Sequence, residues 1–289
     1  MSHNHSNTTK NIKLAFFLNL AFTIFEIFGG LWTNSLAILS DAIHDLGDSF
    51  SLGMSWYLEK YSKKSHDARF TYGYRRFSLL AALINTIVLL TGSIFILSEA
   101  IPRLIQPEKS YAPGMVLFAV FGILVNGAAV FRLRGDASIN ARVVALHLLE
   151  DVLGWAAVLV VAIILLFKDI YILDPLLSIL VTVYVLYNLI KNLKSTLALF
   201  LQGVPDSISL TDIESHIQHI AGVISLHHLH IWSLDGEQHV LTAHIVVETG
   251  ATKDHIIRIK KQIHEYAKSF HIIHTAVEFE FEDEQCVLE

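Results

Sequence analysis

The chain has 289 residues, a mean hydropathy of +0.50 and only 17% charged residues. Soluble domains carry about 25% charged residues, so this composition argues against a wholly soluble protein. The net charge of −6 gives no basic surface for nucleic acid. The single cysteine, Cys286, excludes an intramolecular disulfide and any CxxC metal motif.

Six apolar segments are long enough to span a membrane, which takes about 20 residues. They cover residues 12–32, 36–58, 77–101, 112–133, 142–167 and 173–199. Residues 1–11 are polar and predict a flexible tail. The turn-rich stretch Gly203-Val204-Pro205-Asp206 predicts a boundary between a transmembrane domain at 12–203 and a soluble domain at 204–289.

The soluble domain has the pattern of a small α+β sandwich. This pattern predicts a helix at 206–219, strands at 223–233 and 238–247, a helix at 252–268 and a strand at 271–282.

Basic residues between the apolar segments predict the orientation in the membrane. The loops after the second and fourth segments carry Lys60, Lys63, Lys64, Arg69, Arg75, Arg76, Arg132, Arg134 and Arg142. Because cytoplasmic loops are rich in lysine and arginine, both termini are predicted to be cytoplasmic.

Two His-x-x-x-Asp pairs lie inside the second and fifth apolar segments. They are His44 with Asp48 and His147 with Asp151. Residues i and i+4 share a helix face, so the two pairs offer the four N/O ligands of a tetrahedral Zn²⁺ site. Polar contacts between helices are the simpler alternative, but ionisable groups inside a membrane usually mark a transport pathway.

The ligand types favour zinc and suggest how protons are involved. Imidazole suits Zn²⁺ better than Mg²⁺ or Mn²⁺, with Cd²⁺, Fe²⁺ and Co²⁺ as close competitors. Only neutral histidine binds metal, so such a site suits exchange of metal for H⁺. Asp41 shares the face of His44 and Asp48 and is a candidate for a group that holds a ligand in place, whereas Asp45 and Glu150 turn away.

Several motifs resemble, in order over residues 12 to 282, the zinc-transporting branch of the cation diffusion facilitator family. They are Glu26-Ile27-Phe28-Gly29-Gly30, the run from Thr33 to His44, Tyr72-Gly73-Tyr74-Arg75-Arg76, Ser138 to Gly154, and Asp174-Pro175-Leu176-Leu177-Ser178. The resemblance implies an all-α six-helix membrane bundle with a C-terminal α+β ferredoxin-like cytoplasmic domain. It also implies a homodimer and alternating access driven by proton antiport.

The resemblance assigns the transport site to His44, Asp48, His147 and Asp151. Family members with an aspartate in place of His44 transport a broader set of cations, so His44 implies a preference for Zn²⁺.

A second metal site is implied in the cytoplasmic domain. His227, His244 and His274 resemble the positions that bind regulatory zinc, and His255 or Cys286 could add a ligand. Ala276 replaces an aspartate ligand of some members, which disfavours a binuclear site. Strand alternation places His228 and His230 on one face and His227 on the other; surface histidines without metal are the alternative.

The sequence therefore predicts a homodimeric Zn²⁺/H⁺ antiporter that exports zinc across a lipid bilayer, in a bacterial inner membrane. An intramembrane metalloenzyme is the first rival, although the chain has no His-Glu-x-x-His motif. A membrane-bound metal sensor is the second, and it would not need ionisable groups within spanning helices.

Overall fold

The computed structural model describes residues 3–62, 66–133, 139–284 and 286. Lys63, Lys64, Arg134 and Ser138, which support some of the predictions above, lie outside these residues. The chain divides into two compact units, Met1–Glu59 with Ile84–Asn192 and Lys60–Leu83 with Leu193–Glu289.

Long helices form most of the first unit. They are α1 (His3–Thr33), α2 (Leu36–Ser62), α3 (Phe77–Ile105), α4 (Ala112–Leu133), α5 (Ile139–Phe167) and α6 (Leu173–Phe200). Many large apolar side chains on their outer faces are exposed, such as Phe28 and Leu124. Exposed apolar surface of this extent indicates contact with lipid.

Five helical stretches of the described chain are long and apolar enough to cross a membrane. They are Ala15–Thr33, Phe77–Ile105, Ala112–Arg132, Ala145–Phe167 and Leu173–Phe200. The 27-residue α2 is long enough but does not qualify, because Asp41, Asp45 and Asp48 make its first half polar.

The first helix begins earlier than the sequence predicted. Residues 1–11 were predicted to be a flexible tail, but α1 is helical from His3 onwards. No proline or glycine interrupts residues 3–28, so the helical hydrogen bonds continue from the apolar segment into the polar one.

A tight turn joins α1 to α2, and Asp174 of α6 fixes where α2 begins. Asn34 has a left-handed backbone (φ 52°), and the Ser35 N–H donates to the Gly30 carbonyl at 3.0 Å, which ends α1. The buried Asp174 carboxylate accepts hydrogen bonds from the Leu36 N–H at 2.8 Å and the Ser35 hydroxyl at 2.5 Å. This cap sets the position of the polar face of α2.

The core of the bundle forms around Trp155 of α5. Its indole is 1% exposed and belongs to a buried apolar cluster that includes Ile38 of α2 and Met115 and Phe118 of α4. Gly122 of α4 allows this approach, since a Cβ there would lie 2.4 Å from the indole. Trp155 follows Asp151 on α5 by about one helical turn. The packing of Trp155 therefore also helps to position Asp151, one of the predicted ligands.

We expect Gly122→Ala to lower the free energy of unfolding by about 1–3 kcal/mol, as overpacking of a filled core does. Gly127→Ala is the matched control on the same helix, because a Cβ there meets no described atom within 4 Å. Melting temperatures in one detergent compare the two variants. Equal melting temperatures would contradict the close packing at Trp155.

The soluble part of the second unit confirms the predicted small α+β domain. Its elements are α7 (Leu210–Gln218), β1 (Val223–Ser233), β2 (His239–Val247), α8 (Lys253–Lys268) and β3 (Ile272–Phe281). The sheet has the order β1-β2-β3, with β1 antiparallel and β3 parallel to β2. Buried isoleucines of both helices, including Ile213, Ile217, Ile259 and Ile263, pack on the sheet.

Candidate metal centres

The four residues predicted as transport ligands lie together in the first unit. The His147 Nε2 is 2.9 Å from the Asp48 Oδ2, and the His44 Nε2 is 3.8 Å from the same oxygen. One ligand atom each of His44, His147 and Asp151 lies within 4.8 Å of the others. The two imidazole rings meet edge to face with centroids 5.7 Å apart.

These separations are close to those of a tetrahedral zinc site. Ligand atoms about 2.0–2.1 Å from Zn²⁺ lie about 3.4 Å from one another. The 2.9 Å and 3.8 Å distances at Asp48 fall on either side of that value. The side chains of His44, Asp48 and His147 are 31%, 32% and 41% exposed, so an ion can reach them.

Two further carboxylates lie near the predicted ligands in the sequence, Asp41 three residues before His44 and Glu150 beside Asp151. Asp41 faces α5, where its Oδ1 lies 3.9 Å from the position that a Cβ on Gly154 would occupy. Glu150 is exposed, while Asp151 beside it is half-buried. Asp41 is not in the ligand cluster, and its assignment as a supporting group stays a prediction.

Asp45 has a neighbour that the sequence reasoning did not identify. It is buried on α2, and its carboxyl lies beside that of Glu26, which is completely buried on α1. The helical spacing showed that Asp45 points away from His44. It could not show that α1 packs against the face of α2 that carries Asp45.

In the cytoplasmic domain, a β-bulge breaks the predicted alternation of the β1 histidines. The register with β2 shifts between His227 and His230, and His228 has a positive φ of 49°. The rings of His227 and His228 therefore both come within 5.4 Å of the His244 ring, instead of lying on opposite faces.

Glu280 of β3 joins two of the predicted cytoplasmic ligands. Its carboxylate oxygens lie 3.1 Å from the His227 Nε2 and 2.6 Å from the His244 Nδ1. The hydrogen bond with His244 lowers the pKa of the Glu280 carboxyl below its ordinary value. The Cys286 Sγ lies 3.8 Å from the His244 Nδ1. These four residues each place one ligand atom within 4.8 Å of the others.

His274 does not join this cluster, which corrects the predicted set. The parallel pairing places His274 opposite Val240, four residues before His244. At about 3.3 Å per residue, it lies about 13 Å along the sheet, and its ring contacts Tyr72 instead. His255 is also elsewhere, since its Nε2 contacts the Ala221 carbonyl.

Two matches with known protein domains cover most of the chain. Residues 12–201 match the cation efflux transmembrane domain, and residues 205–278 match the cytoplasmic domain of cation efflux proteins. The chain belongs to the cation efflux family. It is therefore an integral membrane transporter and not an enzyme, as the resemblance to the cation diffusion facilitators predicted.

Bacterial members of the cation efflux family are similar to this chain over nearly its whole length. The zinc transporter ZitB of Pectobacterium atrosepticum is 34% identical, over 99% of this chain and 92% of that one. The cadmium, cobalt and zinc/H(+)-K(+) antiporter of Bacillus subtilis is 33% identical, over 98% and 93%. The solved metal-bound C-terminal domain of the CzcD transporter is 34% identical, over 25% of this chain and 99% of that one, with a TM-score of 0.23.

The two candidate centres of this cation efflux protein differ in chemistry. The intramembrane set contains two imidazoles and two carboxylates, all partly exposed. The cytoplasmic set contains two imidazoles, one carboxylate and one thiol, and its His244 and Glu280 side chains are only 13% and 10% exposed. Thiolate ligands favour tight binding of soft and borderline metals, so the cytoplasmic set suits retention of a metal and the intramembrane set suits its release.

Proposed function

We propose that this cation efflux protein exports divalent metal, with Zn²⁺ preferred, in exchange for H⁺ across the plasma membrane of a bacterium. The convergence of His44, Asp48, His147 and Asp151 from two helices is the observation that carries the proposal. The similarity to the zinc transporter ZitB and to the cadmium, cobalt and zinc/H(+)-K(+) antiporter supports it. Cd²⁺, Co²⁺ and Fe²⁺ are the competing substrates.

The proposed cycle uses competition between metal and protons for the same nitrogen atoms. In an inward-facing state, neutral His44 and His147 bind Zn²⁺ together with the two aspartates. The bundle then opens outward, where protonation of the histidines removes their lone pairs from the metal and releases it. The return step carries the protons inward, which couples the two movements.

We propose that α2 is a sixth spanning helix and that both termini are cytoplasmic. Its 27 residues suffice to cross a bilayer, and its carboxylates face other helices or the proposed ion pathway, where polar groups are tolerated. Protease treatment of sealed inside-out vesicles is expected to remove residues 206–289. Protection of that segment would contradict this orientation.

We also propose that the domain at 204–289, with a ferredoxin-like arrangement, joins two copies into a homodimer and senses cytoplasmic zinc. The support is the match of residues 205–278 to the cytoplasmic domain of the family. The donor set of His227, His244, Glu280 and Cys286 satisfies the ligand preferences of Zn²⁺. Zinc held there would tie β1, β2 and the C-terminal segment together.

We expect His244→Ala to lose one bound Zn²⁺ per chain, because His244 contacts both Glu280 and Cys286. His274→Ala is the matched control and is expected to bind as much zinc as the Asp48→Asn parent protein. Metal content of the purified full-length protein, made in an Asp48→Asn background that removes the transport site, distinguishes the two. Zinc content in His244→Ala equal to that of the Asp48→Asn parent would contradict a metal site at His244. Loss of zinc in both His244→Ala and His274→Ala would restore the set predicted from sequence.

A membrane-bound sensor that transports nothing does not fit membership of a transporter family, and zinc flux into vesicles tests zinc export directly. An exporter is expected to accumulate zinc inside inside-out vesicles in proportion to time and protein amount. A sensor would give only saturable binding, equal to the number of sites and independent of the vesicle volume.

A further inference from the structure

A cavity of about 320 Å³ lies in the second unit, apart from both metal centres. Its walls come from the α2–α3 loop and the start of α3 at residues 69–77, from Gln202 after α6, and from Trp232 and Leu234 around the end of β1. This volume falls at the lower end of small-ligand sites, about 300–1,000 Å³. Metal transport as proposed above makes no use of it.

Among the residues that the structure describes, the charged ones that line this cavity are all arginines: Arg69, Arg75 and Arg76. The Arg75 Nη1 pairs with the Asp235 Oδ2 at 3.3 Å, and the Arg69 guanidinium lies 5.6 Å from the Phe70 ring centroid. The Nη2 of Arg76 is buried and has no hydrogen-bond partner among the described residues. A buried donor on a charged group is costly without an acceptor, so the cavity has the chemistry of an anion site.

The cavity adjoins the ends of two helices that are long and apolar enough to cross a membrane. Phe77, the first residue of α3 and of a membrane-crossing stretch, lines it, and Gln202 follows the last residue of α6 by only two positions. Phospholipid headgroups occupy the level at which spanning helices leave the hydrocarbon core of a bilayer. The N-terminal end of α3 adds a partial positive charge beside the arginines.

We propose that this cavity binds the phosphate group of an anionic phospholipid, with Arg76 as the principal ligand and Arg69 and Arg75 as flanking charges. The planar guanidinium fork matches two phosphate oxygens. Tyr72 and Trp232 supply the aromatic surface that favours the membrane interface. A lipid in this cavity would contact both the α2–α3 loop and the end of β1.

The test measures thermal stabilisation of the purified full-length protein by dioctanoyl phosphatidylglycerol. We expect a saturable rise in melting temperature for the wild type. Arg76→Gln is expected to weaken the lipid affinity about tenfold or more, as loss of a charge-assisted hydrogen bond does. Arg258→Gln, the same change on an exposed arginine of α8 outside the cavity, is expected to match the wild type.

Two further probes identify the source of the phosphate. Inorganic phosphate that displaces the lipid at millimolar concentration would support a phosphate site that also takes soluble anions. Lipid binding that phosphate does not displace would support a site reserved for the membrane. Phosphatidylcholine binding as tightly as phosphatidylglycerol would overturn the anionic preference.

The proposal is overturned if Arg76→Gln and Arg258→Gln bind phosphatidylglycerol with equal affinity. Should Arg76→Gln fail to fold, Arg69→Gln takes its place, because Arg69 is exposed. Equal affinities of Arg69→Gln and Arg258→Gln would then overturn it in the same way.

Discussion

Replacing either Asp48 or Asp151 with asparagine is expected to abolish zinc transport while leaving the protein in the membrane. The Asp48 Oδ2 lies 2.9 Å from the His147 Nε2 and 3.8 Å from the His44 Nε2. Asp151 of α5 is the fourth predicted ligand and lies close to both histidines. Loss of an outer partner of a metal ligand costs about 10–100-fold in affinity or activity, so loss of a ligand is expected to cost more.

The asparagine variants keep the size of the side chain and remove only its charge. Glu150→Gln is the matched control, since it makes the same chemical change one residue from Asp151 on a side chain that is exposed. Zinc flux in reconstituted vesicles, normalised to the amount of inserted protein, is the measurement. Wild-type flux in either aspartate variant would remove that residue from the transport site.

A change of metal preference is the expected result of His44→Asp. The variant would present three carboxylates and one imidazole, a harder ligand set that favours Mn²⁺ relative to Zn²⁺. We expect the ratio of Zn²⁺ to Mn²⁺ transport to fall about tenfold or more, which corresponds to about 1.4 kcal/mol of differential binding.

Competition between the two metals in one transport assay gives this ratio directly. His216→Asp is the matched control, because His216 stacks on Tyr266 in the cytoplasmic domain and is not part of either ligand cluster. An unchanged ratio in His44→Asp would show that selectivity arises at other residues and that His44 does not determine a preference for Zn²⁺.

The intramembrane cluster could be predicted from sequence because an α-helix has a fixed period. Spacing alone places His44 with Asp48 and His147 with Asp151 on common faces, and four such ligands have few other uses in a membrane. The same period turns Asp45 away from His44. It does not say which helix packs there, so the position of the Glu26 carboxyl beside it required the structure.

The cytoplasmic cluster was predictable only in part because strand pairing has no such fixed rule. His227 and His244 were identified from the resemblance, but the third ligand depends on the register of β3 against β2. The parallel register brings Glu280 rather than His274 to His244. The bulge at His228 likewise required the structure, because a positive φ at a histidine has no clear sequence signal.

The start of α2 shows a further limit of sequence reasoning. The Asp174-Pro175 motif pointed to the family but not to what the aspartate does. In the structure the Asp174 carboxylate of α6 accepts hydrogen bonds from the first N–H groups of α2, those of Leu36 and Ala37. A contact between residues 138 positions apart along the chain cannot be inferred from either helix alone.

Reciprocal coupling of zinc and proton movement in proteoliposomes tests the central claim most directly. Vesicles with an acidic interior, a zinc-sensitive dye and a pH-sensitive dye would be exposed to external Zn²⁺. The proposal expects zinc to accumulate and the interior to become more alkaline at the same time, with both signals absent in Asp48→Asn. Zinc accumulation that persists unchanged after an ionophore collapses the pH gradient, with no proton movement, would contradict antiport.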